Sequence, residues 1–381
     1  MTRRTLVLLA LASALASQMA TAAPAPRLAR FIVTLHDSVA EPAAVARQHS
    51  ALTGARVHQV YSHALKGYSA TLPQAALARL VADKRVASIE LDGIMRASTT
   101  QTGATWGIDR IDQANLPLNG TFNYTKTGAG VKVYIIDTGI RFTHNQFGGR
   151  ATSGADFIDG GAADDCNGHG THVAGTAAGS TYGVAKAASL VAVRVLGCNG
   201  SGATSGVIAG VDWVTGNHQA GQPAVANMSL GGSKSTALDN AVRNSIADGV
   251  SYTLSAGNGN ILGFAANACN YSPARVAEAM TISGTRQNDQ KISWANYGNC
   301  VDWFAPGYQI TSAWGTSNTA TRTISGTSMS APHTAGVAAL YLQGAPSASP
   351  ATVRQALFNL TTKGKVTSAN SVNNHLLFTN L

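Results

Sequence analysis

Val133-Tyr134-Ile135-Ile136-Asp137-Thr138-Gly139 is a short apolar, β-branched run that stops at an acid. Such a run predicts a parallel strand buried on both faces, with Asp137 delivered at its C-terminal edge. Ligands and chemistry gather at that edge in open α/β sheets, so the expected fold class is α/β with a mostly parallel central sheet. Two other segments carry reactive side chains. Asn167-Gly168-His169-Gly170-Thr171-His172-Val173-Ala174-Gly175 sets His169 just before an Ala- and Val-rich stretch, and Ser325-Gly326-Thr327-Ser328-Met329-Ser330-Ala331-Pro332 sets Ser328 before another. Both fall at expected helix N-termini, where free N–H groups and the helix dipole favour developing negative charge.

A serine hydroxyl is a weak nucleophile unless an imidazole takes its proton, and the imidazole needs a carboxylate to hold its tautomer and stabilise its cation. Asp137, His169 and Ser328 are the candidates for those roles. Each has an ordinary alternative: an acid after a strand is common, and a Gly-Thr-Ser turn often serves only as an N-cap. His172, three residues after His169, has no nearby Cys or acidic ligand in register and reads as structural. The chain order Asp, His, Ser is that of subtilisin. On these segments the chain from about Trp106 to its end resembles the subtilisin-like serine peptidases, the subtilases, and within them the proteinase K and aqualysin branch.

The resemblance implies a three-layer subtilisin-like fold and a serine endopeptidase acting through an acyl-enzyme. It also implies further site residues. In Ser255-Ala256-Gly257-Asn258, Asn258 matches the side-chain donor to the oxyanion, with the Ser328 backbone N–H as second donor. Asn227-Met228-Ser229-Leu230-Gly231 and Cys198-Asn199-Gly200-Ser201-Gly202 match the edges that sandwich an extended peptide, with Gly200, Ser201, Gly202, Ser229, Leu230 and Gly231 in contact with it. Backbone pairing carries little sequence information, so broad specificity is expected. Small residues at Ser255, Ala256 and Gly257 leave room for a large apolar or aromatic side chain next to the cut bond. Gly259 to Ala265 is a few residues longer than the family loop, so the pocket rim is expected to differ.

Four cysteines in an exported protein imply two disulfides, and three pairings are open on sequence alone. The resemblance implies Cys166 with Cys198 and Cys269 with Cys300. It implies structural Ca²⁺ as well, at Asp302 with the carbonyls of Ala277 and Ala279, and at Asp109, Asp112 and Gln113. Asp156, Asp159, Asp164 and Asp165 are candidates for a third calcium site, for which solvated surface acids are the alternative. Lys365 stands where proteinase K relatives carry an acid, which argues against their second site.

Upstream, Met1 to Ala22 carries Arg3 and Arg4, an apolar run over 6–15 and Ala20-Thr21-Ala22, the pattern of a secretory signal with an A-x-A cleavage site. That run is too short for an anchor, and no later stretch reaches the roughly 18 apolar residues a span needs. The expected localisation is therefore extracellular. Between residues 30 and 96 the pattern alternates: strand over 31–35, helix over 41–52, strands over 57–61 and 67–72, helix over 74–81, strand over 86–91. This β-α-β-β-α-β rhythm is ferredoxin-like. It resembles the family's inhibitory propeptide, which assists folding and leaves its C-terminal tail in the cleft. Cleavage is then expected near 97–99, with residues 98–381 as the peptidase.

The net charge of +9 belongs partly to the segments to be removed: through Ala97 there are 11 basic and 5 acidic residues, and from Ser98 onward 16 and 13. A nearly balanced enzyme gives no ground for nucleic-acid or membrane partners. The expected partners are protein or peptide substrates and the chain's own propeptide, acting on a monomer. A non-catalytic binding protein is disfavoured because every triad and oxyanion position is filled. An esterase is disfavoured because the Gly-x-Ser-x-Gly elbow is absent around Ser328.

Overall fold

The computed structural model of the chain describes residues 28–93, 99–260 and 262–381. The expected export signal and the tail Ile94 to Ser98 lie outside the described residues. The chain divides into two compact units, Met1–Arg96 and Ala97–Leu381.

The first unit runs β1 (Leu28–Leu35), α1 (Pro42–Thr53), β2 (Arg56–Tyr61), β3 (Gly67–Pro73), α2 (Leu77–Val81) and β4 (Val86–Leu91). Its strands form one antiparallel sheet in the order β2-β3-β1-β4, the ferredoxin-like order. Phe31, Val33 and Leu35 point inward with the two-residue period of a strand and meet Val45, Tyr68, Leu72 and Leu80. Pro42 opens α1 and Gly54, at φ 70°, closes it. The helix expected over 74–81 is shorter: Gln74–Ala76 forms a 3₁₀ turn after Pro73, and only Leu77–Val81 is α-helical.

In the second unit β5 (Thr99–Thr102) pairs with β6 (Thr121–Tyr124), with α3 (Trp106–Ile111) between them in sequence. There follow β7 (Lys132–Asp137), β8 (Ala151–Asp156), α4 (His169–Ala178), β9 (Ser189–Arg194), α5 (Thr204–Asn217), β10 (Ala224–Met228), β11 (Gly232–Ser233), α6 (Thr236–Asp248) and β12 (Ser251–Ser255). The chain continues through β13 (Tyr271–Ser272), β14 (Met280–Thr285), β15 (Trp303–Pro306), β16 (Ile310–Ala313), β17 (Thr321–Ile324), α7 (Thr327–Gly344) and α8 (Pro350–Leu360). Seven strands make the central sheet, in the order β15-β14-β12-β10-β7-β9-β8, and every pairing in it is parallel.

Alternation along β7 builds the layers. Val133 and Ile135 pack with residues of α4, α7 and α8 on one face, while Tyr134 and Ile136 pack with residues of α5 and α6 on the other. All four are fully buried, and each contributes about 1.5–3 kcal/mol of apolar burial. Because β7 lies between β9 and β10, where the strand order reverses, its C-terminal end opens on a crevice. Asp137 is the residue at that end.

Candidate active site

Asp137 is fully buried, and its Oδ1 accepts hydrogen bonds from the Thr138 N–H at 2.7 Å and from His169 Nδ1 at 2.7 Å. A carboxylate facing Nδ1 makes that nitrogen the donor and leaves Nε2 with its lone pair. Burial works to lower the His169 pKa, but the Asp137 carboxylate outweighs it and the pKa ends above its ordinary value. His169 opens α4 as its first residue. The preceding Gly168 has φ 107°, and a Cβ there would lie 2.4 Å from the Trp314 indole, so only glycine fits this approach.

Asp165 organises the same corner. Its carboxylate accepts from Thr138 Oγ1 at 2.8 Å, the N–H groups of Asn167 at 3.0 Å and Gly168 at 2.8 Å, and the Thr171 N–H and Oγ1 at 2.9 and 2.6 Å. This buried acid thus joins the segment after Asp137 to the turn that carries His169. Grouped in the sequence with Asp156, Asp159 and Asp164 as a candidate calcium site, Asp165 is instead a structural anchor. Asp156 and Asp159 are likewise engaged, both by the Arg194 guanidinium at 2.8 and 3.0 Å, and the Asp164 carboxylate accepts the Asp165 N–H. Among the described residues no group of three His, Cys, Asp or Glu side chains is gathered for a metal, which corrects the reading of these four as a third site. His172 is buried with its pKa pushed down to about 3 by desolvation, and its Nε2 donates to the carbonyls of Ile310 and Arg322.

Ser328 is the second residue of α7 and is buried. Four residues later stands Pro332, which has no N–H to give the Ser328 carbonyl. Ser229 Oγ fills that role, donating to the carbonyl at 2.8 Å. Among the described residues the Ser328 hydroxyl donates to the Ser229 carbonyl at 3.2 Å and makes no hydrogen bond to His169. The sequence predicts the hydroxyl on the imidazole. Its observed orientation follows from the carbonyl acceptor beside it.

Asn258 follows β12 and is fixed by its oxygen: Oδ1 accepts from the Thr327 N–H at 2.8 Å and from Thr327 Oγ1 at 2.9 Å. With the oxygen held on Thr327, the amide N–H₂ is the end left for a ligand. Asn296 anchors the loop that follows. Its Oδ1 accepts from the N–H groups of Gly259 at 3.0 Å and Ala266 at 2.9 Å, and its Nδ2 donates to the Ala256 carbonyl at 2.9 Å. Leu262 and Phe264, on the loop expected to be long, are exposed.

Two clefts meet at Ser229, Leu230 and Gly231. One, of about 370 Å³, is lined also by Thr138, His169 and Gly200 to Gly202. The other, of about 300 Å³, is lined also by Ser255, Ala256, Gly257, Asn258 and Ser328. Thus all nine residues expected to contact substrate lie on cleft walls that also carry His169 or Ser328. Thr327, Asp165 and Asn296 escape sequence reasoning as supports; a Thr directly before the candidate Ser is the one signal that pointed at any of them.

The disulfides are Cys166–Cys198 and Cys269–Cys300, as the resemblance implied. The first, with Asn167 Nδ2 donating to the Cys198 carbonyl at 2.8 Å, ties the His169 segment to the edge at Gly200. The two expected calcium groups differ. Asp109 accepts from the Gly120 N–H at 2.8 Å, and Asp112 Oδ2 accepts from the N–H and Nδ2 of Asn123. Asp112 Oδ1 is buried and has no hydrogen-bond partner among the described residues, an orphaned anion that suits a hard cation. Burial pushes the Asp112 pKa up, and the nearby Asp109 charge adds to it. Gln113 spends its Nε2 on the Pro117 carbonyl, which leaves Oε1 as the acceptor end of that side chain. At the other group the Arg354 guanidinium donates to Asp302 Oδ1 and to the Ala279 carbonyl. As they stand, Asp302 and Ala279 do not fit a metal. Lys365 Nζ bonds to Asn115 Oδ1.

An acid, an imidazole and a hydroxyl at the carboxyl edge of a parallel sheet, flanked by clefts, define a hydrolase of the serine type. Comparison with known proteins narrows the class. Residues 128–376 match the model of the subtilase family, and residues 30–98 match that of peptidase inhibitor I9. The chain is 56% identical over 327 residues to the extracellular serine proteinase of Thermus sp. (strain Rt41A), covering 86% of this chain and 78% of that one. It is 52% identical over 336 residues to alkaline serine exoprotease A of Vibrio alginolyticus, covering 86% of this chain and 61% of that one. Among solved structures, a cold-adapted subtilisin-like serine proteinase matches with a TM-score of 0.70 at 53% identity, over 73% of this chain and 98% of that one. The chain belongs to the subtilase family: it is a serine peptidase with an inhibitor-type N-terminal unit.

Proposed function

We propose that the chain is exported as the self-processing zymogen of an endopeptidase with broad specificity, favouring a large apolar or aromatic residue on the acyl side of the cut bond. The observation that carries this reading is the 2.7 Å bond from His169 Nδ1 to the buried Asp137, which leaves Nε2 as a base at the cleft that meets Ser328. His169 takes the Ser328 proton as the hydroxyl attacks the scissile carbonyl. The Asn258 amide and the Ser328 N–H stabilise the oxyanion. His169 then protonates the leaving amine, and water hydrolyses the acyl-enzyme by the same route.

Glycine and serine walls at Gly200 to Gly202 and Ser229 to Gly231 favour an extended peptide held by backbone pairing. The small residues Ser255, Ala256 and Gly257 favour a bulky side chain between them. Export is supported by the N-terminal signal pattern, by the extracellular Thermus relative, and by the lack, among the described residues, of a helix long and apolar enough to cross a membrane. The N-terminal unit restrains the peptidase until it is cut off. Asp109, Asp112 and Gln113 would hold a structural Ca²⁺, whose charge would neutralise the two carboxylates at the C-terminal end of α3.

A fluorophosphonate probe applied to the matured protein should label Ser328, and casein should be hydrolysed. Ser328→Ala should take no label and should accumulate as uncut precursor by intact mass. Mature-sized product from purified Ser328→Ala would overturn self-cleavage, and a folded wild type that neither labels nor cleaves would overturn the enzyme reading.

A further inference from the structure

The oxygens at Asp302 are already served by a cation that belongs to the chain. Arg354, the fifth residue of α8, reaches back 52 residues to donate through Nη2 to Asp302 Oδ1, and through Nε to the Ala279 carbonyl at 3.2 Å. Asp302 Oδ2 accepts the Thr281 N–H at 2.8 Å. Both Asp302 oxygens are therefore occupied by N–H donors, and one of the two carbonyls expected in the calcium shell, that of Ala279, shares the same guanidinium. A calcium ion needs six to eight oxygens at 2.3–2.6 Å. Here it would meet a fixed positive charge bonded to two of them. A planar guanidinium is a good match to a carboxylate and an adjacent carbonyl, and it is always charged.

We propose that Arg354 is a built-in substitute for a metal ion at Asp302, so that this corner takes no calcium in the native chain and becomes a calcium site when Arg354 is removed. The substitution changes what stability depends on. A bound ion stabilises by an amount that grows with the logarithm of its free concentration and vanishes when it is chelated, whereas a tethered side chain is always present. The guanidinium fastens α8 to the residues just before β14 and β15, and that fastening survives chelation. The Arg354 side chain is 36% exposed, so its removal opens a path to Asp302 from solvent.

The test reads metal content and not catalysis, which keeps it separate from the proposed chemistry. Full-length protein carrying Ser328→Ala, to prevent digestion, is dialysed against CaCl₂, and bound calcium is counted by elemental analysis. Adding Asp302→Asn should leave the count unchanged, and adding Arg354→Ser should raise it by one equivalent that Asp302→Asn then removes. Loss of one equivalent on Asp302→Asn in the Arg354-containing parent would overturn the proposal, as would an Arg354→Ser protein that folds and gains none. If Arg354→Ser does not fold, the Asp302→Asn comparison alone decides.

Discussion

Ser229 and Ser328 hold each other by reciprocal hydrogen bonds, each hydroxyl donating to the other residue's carbonyl, at 2.8 and 3.2 Å. The pair extends inward, since Asn227 Nδ2 donates to Ser229 Oγ and Asn227 Oδ1 accepts from Thr253 Oγ1, both at 2.9 Å. A polar thread thus runs from β12 through β10 to the first turn of α7. Ser229→Ala should leave the Ser328 carbonyl, which Pro332 cannot serve, without a donor and should cost about 1–3 kcal/mol. Urea denaturation in the Ser328→Ala background measures it, and an unchanged midpoint would refute the role assigned to Ser229.

Asp165→Asn should be more damaging than a change at an exposed acid, because the new N–H₂ must face N–H and O–H donors. We expect a loss of about 3 kcal/mol and a fall in kcat larger than any rise in KM. Thermal melts and steady-state kinetics with a peptide anilide report the two effects. A variant that behaves like one at exposed Asp159 would return Asp165 to the surface group.

The pH profile follows from His169, whose pKa the Asp137 carboxylate holds above its ordinary value against the effect of burial. Neutral imidazole is the working form, so kcat/KM should fall as pH drops through that raised pKa. Asp137→Asn removes the larger of the two carboxylate effects and leaves burial opposed only by the charge of Asp165. Its acid limb should move to lower pH while the rate falls by about 10⁴-fold. An acid limb that stays in place would show that another group controls it.

Asn258→Ala should lower kcat by about 10²- to 10³-fold with little change in KM, the scale of one lost oxyanion donor. Thr327→Val, which removes the hydroxyl bonded to Asn258 Oδ1, should give a smaller loss in the same direction. Equal losses in kcat/KM carried entirely by KM would mean that Asn258 binds substrate and does not act on the transition state.

Breaking Cys166–Cys198 as Cys166→Ser/Cys198→Ser opens a loop of 32 residues, worth about 3–4 kcal/mol in the chain-entropy model. Since this bond ties the His169 segment to the Gly200 edge, KM should rise as well. Breaking Cys269–Cys300 should lower stability by a similar amount, and a KM that responds equally to both would deny the first bond its special place.

What could be read from sequence was what local pattern encodes. The apolar run ending at Asp137, the glycine before His169 and the two-residue period of Phe31, Val33 and Leu35 each state their own structure within a few residues. Long-range polar bonds are different, because no local period marks them. Asp165 looked like one of four surface acids, since its partners Thr138 and Thr171 are neighbours only in the fold. Asn296 joins a loop 37 residues earlier in the chain, and Arg354 lay in a helix with no apparent tie to Asp302. The orientation of the Ser328 hydroxyl was equally hidden, because it depends on a carbonyl 99 residues away.

A cleft walled by glycine and serine main chain has little with which to tell one side chain from another. What it asks of a polypeptide is unspent peptide groups, and a segment inside a folded protein has already given those to its own neighbours. On the proposed reading, the choice of victim falls to the victim's local opening equilibrium: frayed ends, loop tips and heat-loosened chains are consumed first, and a well-knit protein outlasts them whatever its sequence.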